Sequence, residues 1–317
     1  MTGKLTPAML EELVFSRTGA PNEDVLYGPA FGEDAAALRV GDETLVVSSD
    51  PISLAAERIG TLGVAIASND VAACGGVPEF LLPTVLLPRE EYELVDTISA
   101  QLDAEATRLG MSIVGGHSET VAGLDRPLLS LTCMGAADRY VPTSGATPGD
   151  RVLLTKGAGI EATAVLATDF RDEVDLSADL LDRAAGFFDD LSVLVESTVL
   201  APVASAMHDP TEGGVLEGLL EVALASEASL VVDDVPVREE TRALCDAVGV
   251  DPLRTLGSGA LLATVPEPET ESVLGELDAE GVEAWDVGVV EAGDPGVTLD
   301  GDRYTDPVQD DIYELWE

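Results

Sequence analysis

Residues 207–223 read MHDPTEGGVLEGLLEVA. The second half of this stretch is an amphipathic helix, with Val215, Leu216, Leu219, Leu220 and Ala223 recurring at helical spacing. The first half is the grammar of a helix start. Asp209 stands at an N-cap position, Pro210 at the first helical position and Glu212 at the third, which makes a capping box and predicts a helix over 210–226. Gly213 and Gly214 do not fit that grammar, because each costs about 1 kcal/mol against alanine inside a helix. They do fit a place where phosphate approaches the backbone. Glycine has no side chain to block that approach, and a helix N-terminus offers N–H donors to an anion. Asp209 would then face a metal ion as well as cap the helix.

Outward from this stretch, the chain alternates between strands and helices. Towards the N-terminus, a helix is expected over residues 6–16, then a loop, then two short strands, AALRV and TLVVSS, joined by a turn at Gly41-Asp42. IGTLGVAIASNDVAACGG reads as a helix stopped by glycines, FLLPTVLLP as a strand, and REEYELVDTISAQLDAEATRLG as a long helix. SIVGG and PLLSLTCMGAA are apolar strands, and TSGATPGD is a turn-rich boundary. The expected division is therefore a first domain over residues 1–148 and a second over 149–317. In the second domain RVLLT, SLVVDD and GALLATV read as strands among helices. The hairpin-compatible strands of the first half favour α+β over a doubly wound sheet.

Composition limits the function classes. The chain has 317 residues, a formal net charge of -44 and 46% hydrophobic residues. That is a globular composition with no apolar run of transmembrane length. The start, MTGKLTPAMLEELVF, lacks the build of a signal peptide, so a cytoplasmic location is expected, with no membrane partner. Sixty acidic residues face 16 basic ones. An acidic coat this even suits a cytosol of very high salt, which predicts a halophilic source. With no basic stripe to neutralise phosphates, nucleic acid is excluded as a partner. Three scattered cysteines signal neither a zinc site nor a disulfide framework.

Five further segments place polar groups where a strand ends or a helix begins. GPAFGEDAA carries Glu33 and Asp34, VVSSDPIS carries Ser48, Ser49 and Asp50, and ASNDVAACGG carries Asn69 and Asp70. IVGGHSET carries Gly115, Gly116, His117 and Glu119, and LLTKGAGIE carries Lys156. Each alone reads as structural: a solvated turn, a turn starter before proline, a satisfied histidine. Asp70 resists that reading, because its helix is otherwise apolar and a buried carboxylate needs a partner. Together the set suits Mg²⁺ bridging loop carboxylates to phosphate oxygens.

The ordered set FGEDAA, SSDPI, NDVAACGGVP, GGHSE, TPGD, LLTKGAGIE and HDPTEGG resembles the PurM-like superfamily over nearly the whole chain. This is the group of aminoimidazole ribonucleotide synthase, thiamine-monophosphate kinase, selenophosphate synthetase and the hydrogenase maturation factor HypE, and the HypE-like, AIR synthase-related branch is the most similar. The resemblance implies a two-domain α+β fold whose N-terminal domain supplies strands to a β-barrel shared across a homodimer. It implies ATP and Mg²⁺ as cofactors, and phosphorylation of an oxygen on a small-molecule or partner-borne acceptor. It places Asp34, Asp50, Asp70 and Asp209 at metal positions. Ser48, Ser49, Gly115, Gly116, Thr211, Glu212, Gly213 and Gly214 fall beside the nucleotide, Lys156 near the ATP phosphates, and Lys156, His117 and Glu119 among catalytic positions.

The departures bear on the reaction. Where thiamine-monophosphate kinase carries an aspartate after the two glycines, this chain has His117; where the kinase has a Ser-Asp-Gly run, it has Thr211-Glu212-Gly213. HypE carries a terminal cysteine that accepts the carbamoyl group, whereas the last cysteine here is Cys245. Lys4 lacks the cysteine neighbour that selenophosphate synthetase needs. Two alternatives to a HypE-like ATP-dependent enzyme therefore stand: a nucleotide-binding accessory or maturation protein without turnover, and a phosphotransferase like thiamine-monophosphate kinase.

Overall fold

The computed structural model describes residues 4–53 and 55–316. A short helical turn, α1 (Pro7–Met9), continues into a wider π-type turn over Leu10–Phe15. The first half then builds β1 (Val25–Tyr27), β2 (Ala36–Val40), β3 (Glu43–Ile52), α2 (Ile59–Ala73), β4 (Val77–Leu87), α3 (Tyr92–Arg108), β5 (Ser112–Ile113), β6 (His117–Thr120) and β7 (Leu128–Ala137). The second half builds β8 (Asp150–Thr155), α4 (Ile160–Asp169), α5 (Ala178–Ala185), α6 (Leu194–Leu200), β9 (Ala206–His208), α7 (Gly214–Ala225), β10 (Ser229–Val232), α8 (Glu239–Val248), β11 (Leu262–Pro266), α9 (Thr270–Ala279), β12 (Ala284–Glu291), β13 (Gly296–Leu299) and β14 (Asp302–Tyr304).

The strands form two mixed sheets. The first runs β1-β2-β3-β7-β4-β5, with β6 also on β4; the second runs β14-β13-β10-β12-β8-β11-β9. This confirms the two-part α+β architecture. The expected barrel is not there: among the described residues no sheet closes on itself. The physical reason lies at the edges of the first sheet. β1 has three residues, β5 two and β6 four, and all nine are exposed, so neither edge offers a long ladder for closure.

The centre of the first sheet shows the alternation expected of a sheet covered on one side. Leu129, Leu131 and Cys133 of β7 and Leu81, Val85 and Leu87 of β4 point into the core. Leu82, Thr84 and Leu86 of β4 and Leu128, Ser130, Thr132 and Met134 of β7 lie half-buried on the opposite face. The covered face carries α2, every residue of which is buried. A helix apolar on all sides belongs between layers, and α2 lies between the first sheet and the second half of the chain. Asn69 links them, donating to the Leu191 carbonyl at 2.8 Å and accepting from the Val193 N–H at 3.0 Å. Within the first half, Glu33 holds the loop before β2 to the segment that follows β7. It accepts from the backbone N–H groups of Thr143 and Ser144, from the Ser144 hydroxyl at 2.6 Å and from the Tyr140 hydroxyl.

In the second half, Val215, Leu216, Leu219, Leu220 and Ala223 of α7 are buried together with Val152, Leu154, Leu230 and Leu262 from the sheet. The amphipathic stripe was therefore legible, but the helix start was not. α7 begins at Gly214 with Gly213 as its N-cap, not at Pro210. The capping-box reading of Asp209 and Glu212 is thereby corrected. Gly213 and Gly214 have φ of +80° and +66°, which delays the helix beyond the proline.

Candidate functional site

Four chain segments meet at the junction of the two halves. The loop before β2 brings Asp34, the end of β3 brings Ser48 and Asp50, the last turn of α2 brings Asp70, and the end of β9 brings His208 and Asp209. Asp34, Ser48, Ser49 and Asp50 line an open cleft of about 240 Å³ together with Gly28, Pro29 and Glu33. Strand alternation aims Ser48 and Ser49 to opposite sides. The Ser48 hydroxyl donates to Asp70 Oδ2 at 2.5 Å and lies 3.4 Å from Asp50 Oδ2. Ser49 is exposed, accepts from the Thr132 hydroxyl and also borders the cleft.

Asp34, Asp70 and Asp209 are enclosed, Asp50 is half-buried, and their charges repel one another. Burial, and then the charges of Asp50, Asp34 and Asp209, hold the Asp70 carboxyl well above the usual range. Burial and the charge of Asp34 do the same to Asp209, with His208 and Lys156 opposing. Burial also raises Asp34, against the opposing charge of His208. Asp34 nonetheless has partners. It accepts the Asp209 N–H at 3.3 Å and faces His208 Nδ1 at 3.0 Å. Asp209 has none: both of its carboxylate oxygens are buried without a hydrogen bond. An orphaned buried carboxylate costs several kcal/mol, and such a group calls for an explanation such as an ion.

The donor set fits a hard divalent cation. It is all carboxylate oxygen, it carries excess negative charge, and it includes one ligand with both oxygens unused. It is not a closed cage: among the described residues no three carboxylates, imidazoles or thiols are grouped tightly enough to hold an ion as they stand. A site that shares its ion with a phosphate-bearing ligand has that open character.

The remaining residues singled out in the sequence divide. Lys156, at the β8–α4 turn with φ +56°, is 8% exposed and fully engaged. Its ammonium donates to the carbonyls of Asp190 and Ser192 at 2.7 and 2.6 Å and pairs with Glu196 at 2.6 Å. Thr211 and Glu212 lie half-buried between Asp209 and α7, and Glu212 accepts the Lys4 backbone N–H. Gly213 and Gly214 are crowded by the chain itself. A Cβ on Gly213 would meet Glu217 Cβ at 2.7 Å and the Val308 carbonyl oxygen at 2.8 Å; one on Gly214 would meet the Thr255 carbonyl oxygen at 2.6 Å. The Gly213 N–H is already taken by Asp310 Oδ2 at 2.8 Å. Fold geometry is thus sufficient reason for both glycines. Gly115, Gly116, His117 and Glu119 lie apart, on the exposed edge of the first sheet, where His117 and Glu119 face each other at 3.5 Å. No hydrogen bond or ion pair among the described residues joins them to the aspartates.

Several groups at the junction were missed by sequence reasoning. His208 is held between Asp34 and Glu221 of α7, with Nε2 2.9 Å from Glu221 Oε2. Burial alone would lower its pKa, but Asp34 and Glu221 outweigh that and carry it to about 10. Against its own burial, Lys4 and His208 bring the Glu221 carboxyl down to about 2. On α4, Glu161 is buried and pushed up to about 7, first by burial and then by nearby Asp310 and Glu212. One signal was available: Glu217 and Glu221 interrupt an otherwise apolar helix. Sixty acidic residues masked it.

Comparison with known proteins bears on the family and the fold. Residues 32–137 match the N-terminal domain of AIR synthase related protein and residues 147–300 its C-terminal domain. A carbamoyl dehydratase HypE of Rhizobium leguminosarum bv. viciae is 30% identical over 280 residues, spanning 83% of this chain and 78% of that protein. The solved structure of a hydrogenase maturation protein HypE in complex with ATP superposes with a TM-score of 0.70 at 26% identity, covering 86% of each chain. The thiamine monophosphate kinase of Aquifex aeolicus shares the fold, with a TM-score of 0.71 at 19% identity, covering 86% of this chain and 92% of that one. With both domain families matched in order along most of its length, the chain belongs to the AIR synthase related family.

Proposed function

We propose that the protein is an ATP- and Mg²⁺-dependent enzyme of the HypE-like group that activates an oxygen on a small-molecule or partner-borne acceptor by phosphorylation. The observation that carries this reading is Asp209, a buried carboxylate with neither oxygen bonded, beside Asp34 and Asp70. Asp34, Asp50, Asp70 and Asp209 would hold Mg²⁺, which neutralises phosphate charge during transfer. Ser48 fixes the orientation of Asp70. The cleft beside Asp34 and Asp50 opens to solvent and admits the triphosphate. Support for ATP comes from the relatives, one of which was solved in complex with it.

The acceptor group lies outside the chain's own cysteines. Cys74, Cys133 and Cys245 are all buried, and burial pushes the Cys245 thiol up to about 12. A HypE-type transfer through one of these thiols is therefore disfavoured.

A second reading, a nucleotide-binding accessory protein without turnover, is favoured by Lys156. Its ammonium is fully occupied and would have to leave three partners to reach a phosphate. Incubation with ATP and Mg²⁺ in molar KCl, with and without a metabolite pool, separates the two readings when nucleotides and phosphorylated species are followed by mass spectrometry. Consumption of ATP with a new phosphorylated or dehydrated species supports the enzyme. Bound ATP recovered intact under every condition supports the accessory protein.

A further inference from the structure

His208 has no role in the function proposed above, yet it is among the most completely enclosed polar side chains at the junction. Its side chain is 3% exposed. Nδ1 stands 3.0 and 3.1 Å from the two oxygens of Asp34, and Nε2 stands 2.9 Å from Glu221 Oε2. Carboxylates only accept, so a ring facing one on each side donates from both nitrogens. The other oxygen of Glu221 is 3.2 Å from Lys4 Nζ. The result is an alternating row, Lys4, Glu221, His208, Asp34, that starts in the N-terminal segment and ends on a candidate metal ligand.

The geometry points to His208 as a positioning residue for Asp34: the imidazole, braced from behind by Glu221, holds the Asp34 carboxylate in place to take a divalent cation. This rests on the metal reading proposed above. The physical argument is one of charge and orientation. Asp34 lies among Asp70, Asp209 and Glu221, all of like sign. With the ring removed, Asp34 and Glu221 would face the same gap with no cation between them, and the Asp34 carboxylate would turn away. With the ring present, one face of Asp34 is committed to His208 and to the Asp209 N–H, which fixes how the group presents itself to Asp209. Partners that orient ligand carboxylates are worth about 10- to 100-fold in metal affinity.

The test reads Mn²⁺ binding to the full chain without nucleotide, by calorimetry and by the electron paramagnetic resonance of free Mn²⁺. His208→Gln should weaken binding about 10- to 100-fold. Glu221→Gln, which keeps the shape but removes the brace, should weaken it in the same direction by less. In an Asp34→Asn background neither substitution should weaken it further, because the effect passes through Asp34; a general loss of structure would add to the Asp34→Asn loss instead. Should His208→Gln fail to fold, Glu221→Gln carries the same comparison. Wild-type Mn²⁺ affinity in both variants, or losses that add to that of Asp34→Asn, would overturn the positioning role while leaving the metal reading intact. Mn²⁺ affinity that is unchanged in Asp34→Asn itself would overturn the metal reading, and the positioning role with it.

Discussion

At the scale of single residues, Gly213 shows how local grammar can mislead. Asp209, Pro210 and Glu212 satisfy the pattern of a helix start, yet the backbone turns through two positive φ values before the helix begins. A run of preferred cap residues says nothing about φ two positions later, and the decisive contacts come from Thr255, Glu217 and Val308. In an ordinary helix interior Gly213→Ala would stabilise. Here the methyl group is strained by the left-handed backbone and meets atoms at 2.7 and 2.8 Å, so a loss of about 1–3 kcal/mol is expected. Thermal unfolding of the ligand-free variant checks this, and a raised melting temperature would place the N-cap elsewhere. Asp34, Asp50, Asp70 and Asp209 were picked out as a set through the motifs around them. The His208–Glu221 pair was not, because a histidine and a glutamate 13 residues apart form no pattern until a strand and a helix pack together.

At the scale of elements, the helices carry inward-facing acids that make stability depend on pH. Glu161 of α4 has its carboxyl raised from 4.5 to about 7 by burial. The folded protein therefore binds this proton more tightly than the unfolded chain. The associated stability is complete below about pH 4.5 and is lost as the pH climbs through 7. Glu217 of α7, also raised to about 7 by burial, acts in the same direction. Without added metal or nucleotide, Glu161→Gln should flatten the decline between pH 4.5 and 7 and stabilise the protein at pH 8 by up to about 3 kcal/mol. Chemical denaturation at several pH values measures this; an unchanged slope would mean that Glu161 titrates as an ordinary surface acid. Element types were legible wherever periodicity was strong, as in the alternation of β7 and the stripe of α7. The all-buried α2 was recognised as a helix from its glycine stop, but its place between two layers depends on contacts with Leu191 and Val193 that lie far away in sequence.

At the scale of the whole molecule, the two-part α+β architecture was foreseeable, while the parallel pairings within each sheet were not, and sheet closure was expected and is absent. Closure depends on whether short edge strands find partners, which strand-forming sequence alone does not encode. The open face of the first sheet, with Leu82, Leu86, Leu128 and Met134 half-buried, is an apolar surface we propose is covered by a second copy of the chain. Each copy carries a net charge of -44, so association should depend on screening. The Debye length falls from about 10 Å at 0.1 M salt to about 3 Å at 1 M. Light scattering should give the mass of two chains in molar KCl and a shift towards one chain at 0.1 M. A single-chain mass at high concentration in molar KCl would contradict the dimer.

The metal site at the junction is tested most directly by calorimetry of ATP binding to the wild type and to Asp209→Asn, each with Mg²⁺ and with EDTA in molar KCl. Asparagine keeps the shape of Asp209 and removes its uncompensated charge, so the ligand-free variant should melt no lower than the wild type. The wild type should bind ATP at least tenfold more tightly with Mg²⁺ than with EDTA, about 1.4 kcal/mol, and Asp209→Asn should lose that difference. Equal affinity of the wild type in Mg²⁺ and EDTA, or a full Mg²⁺ effect retained by Asp209→Asn, would contradict the assignment of these carboxylates to metal and nucleotide.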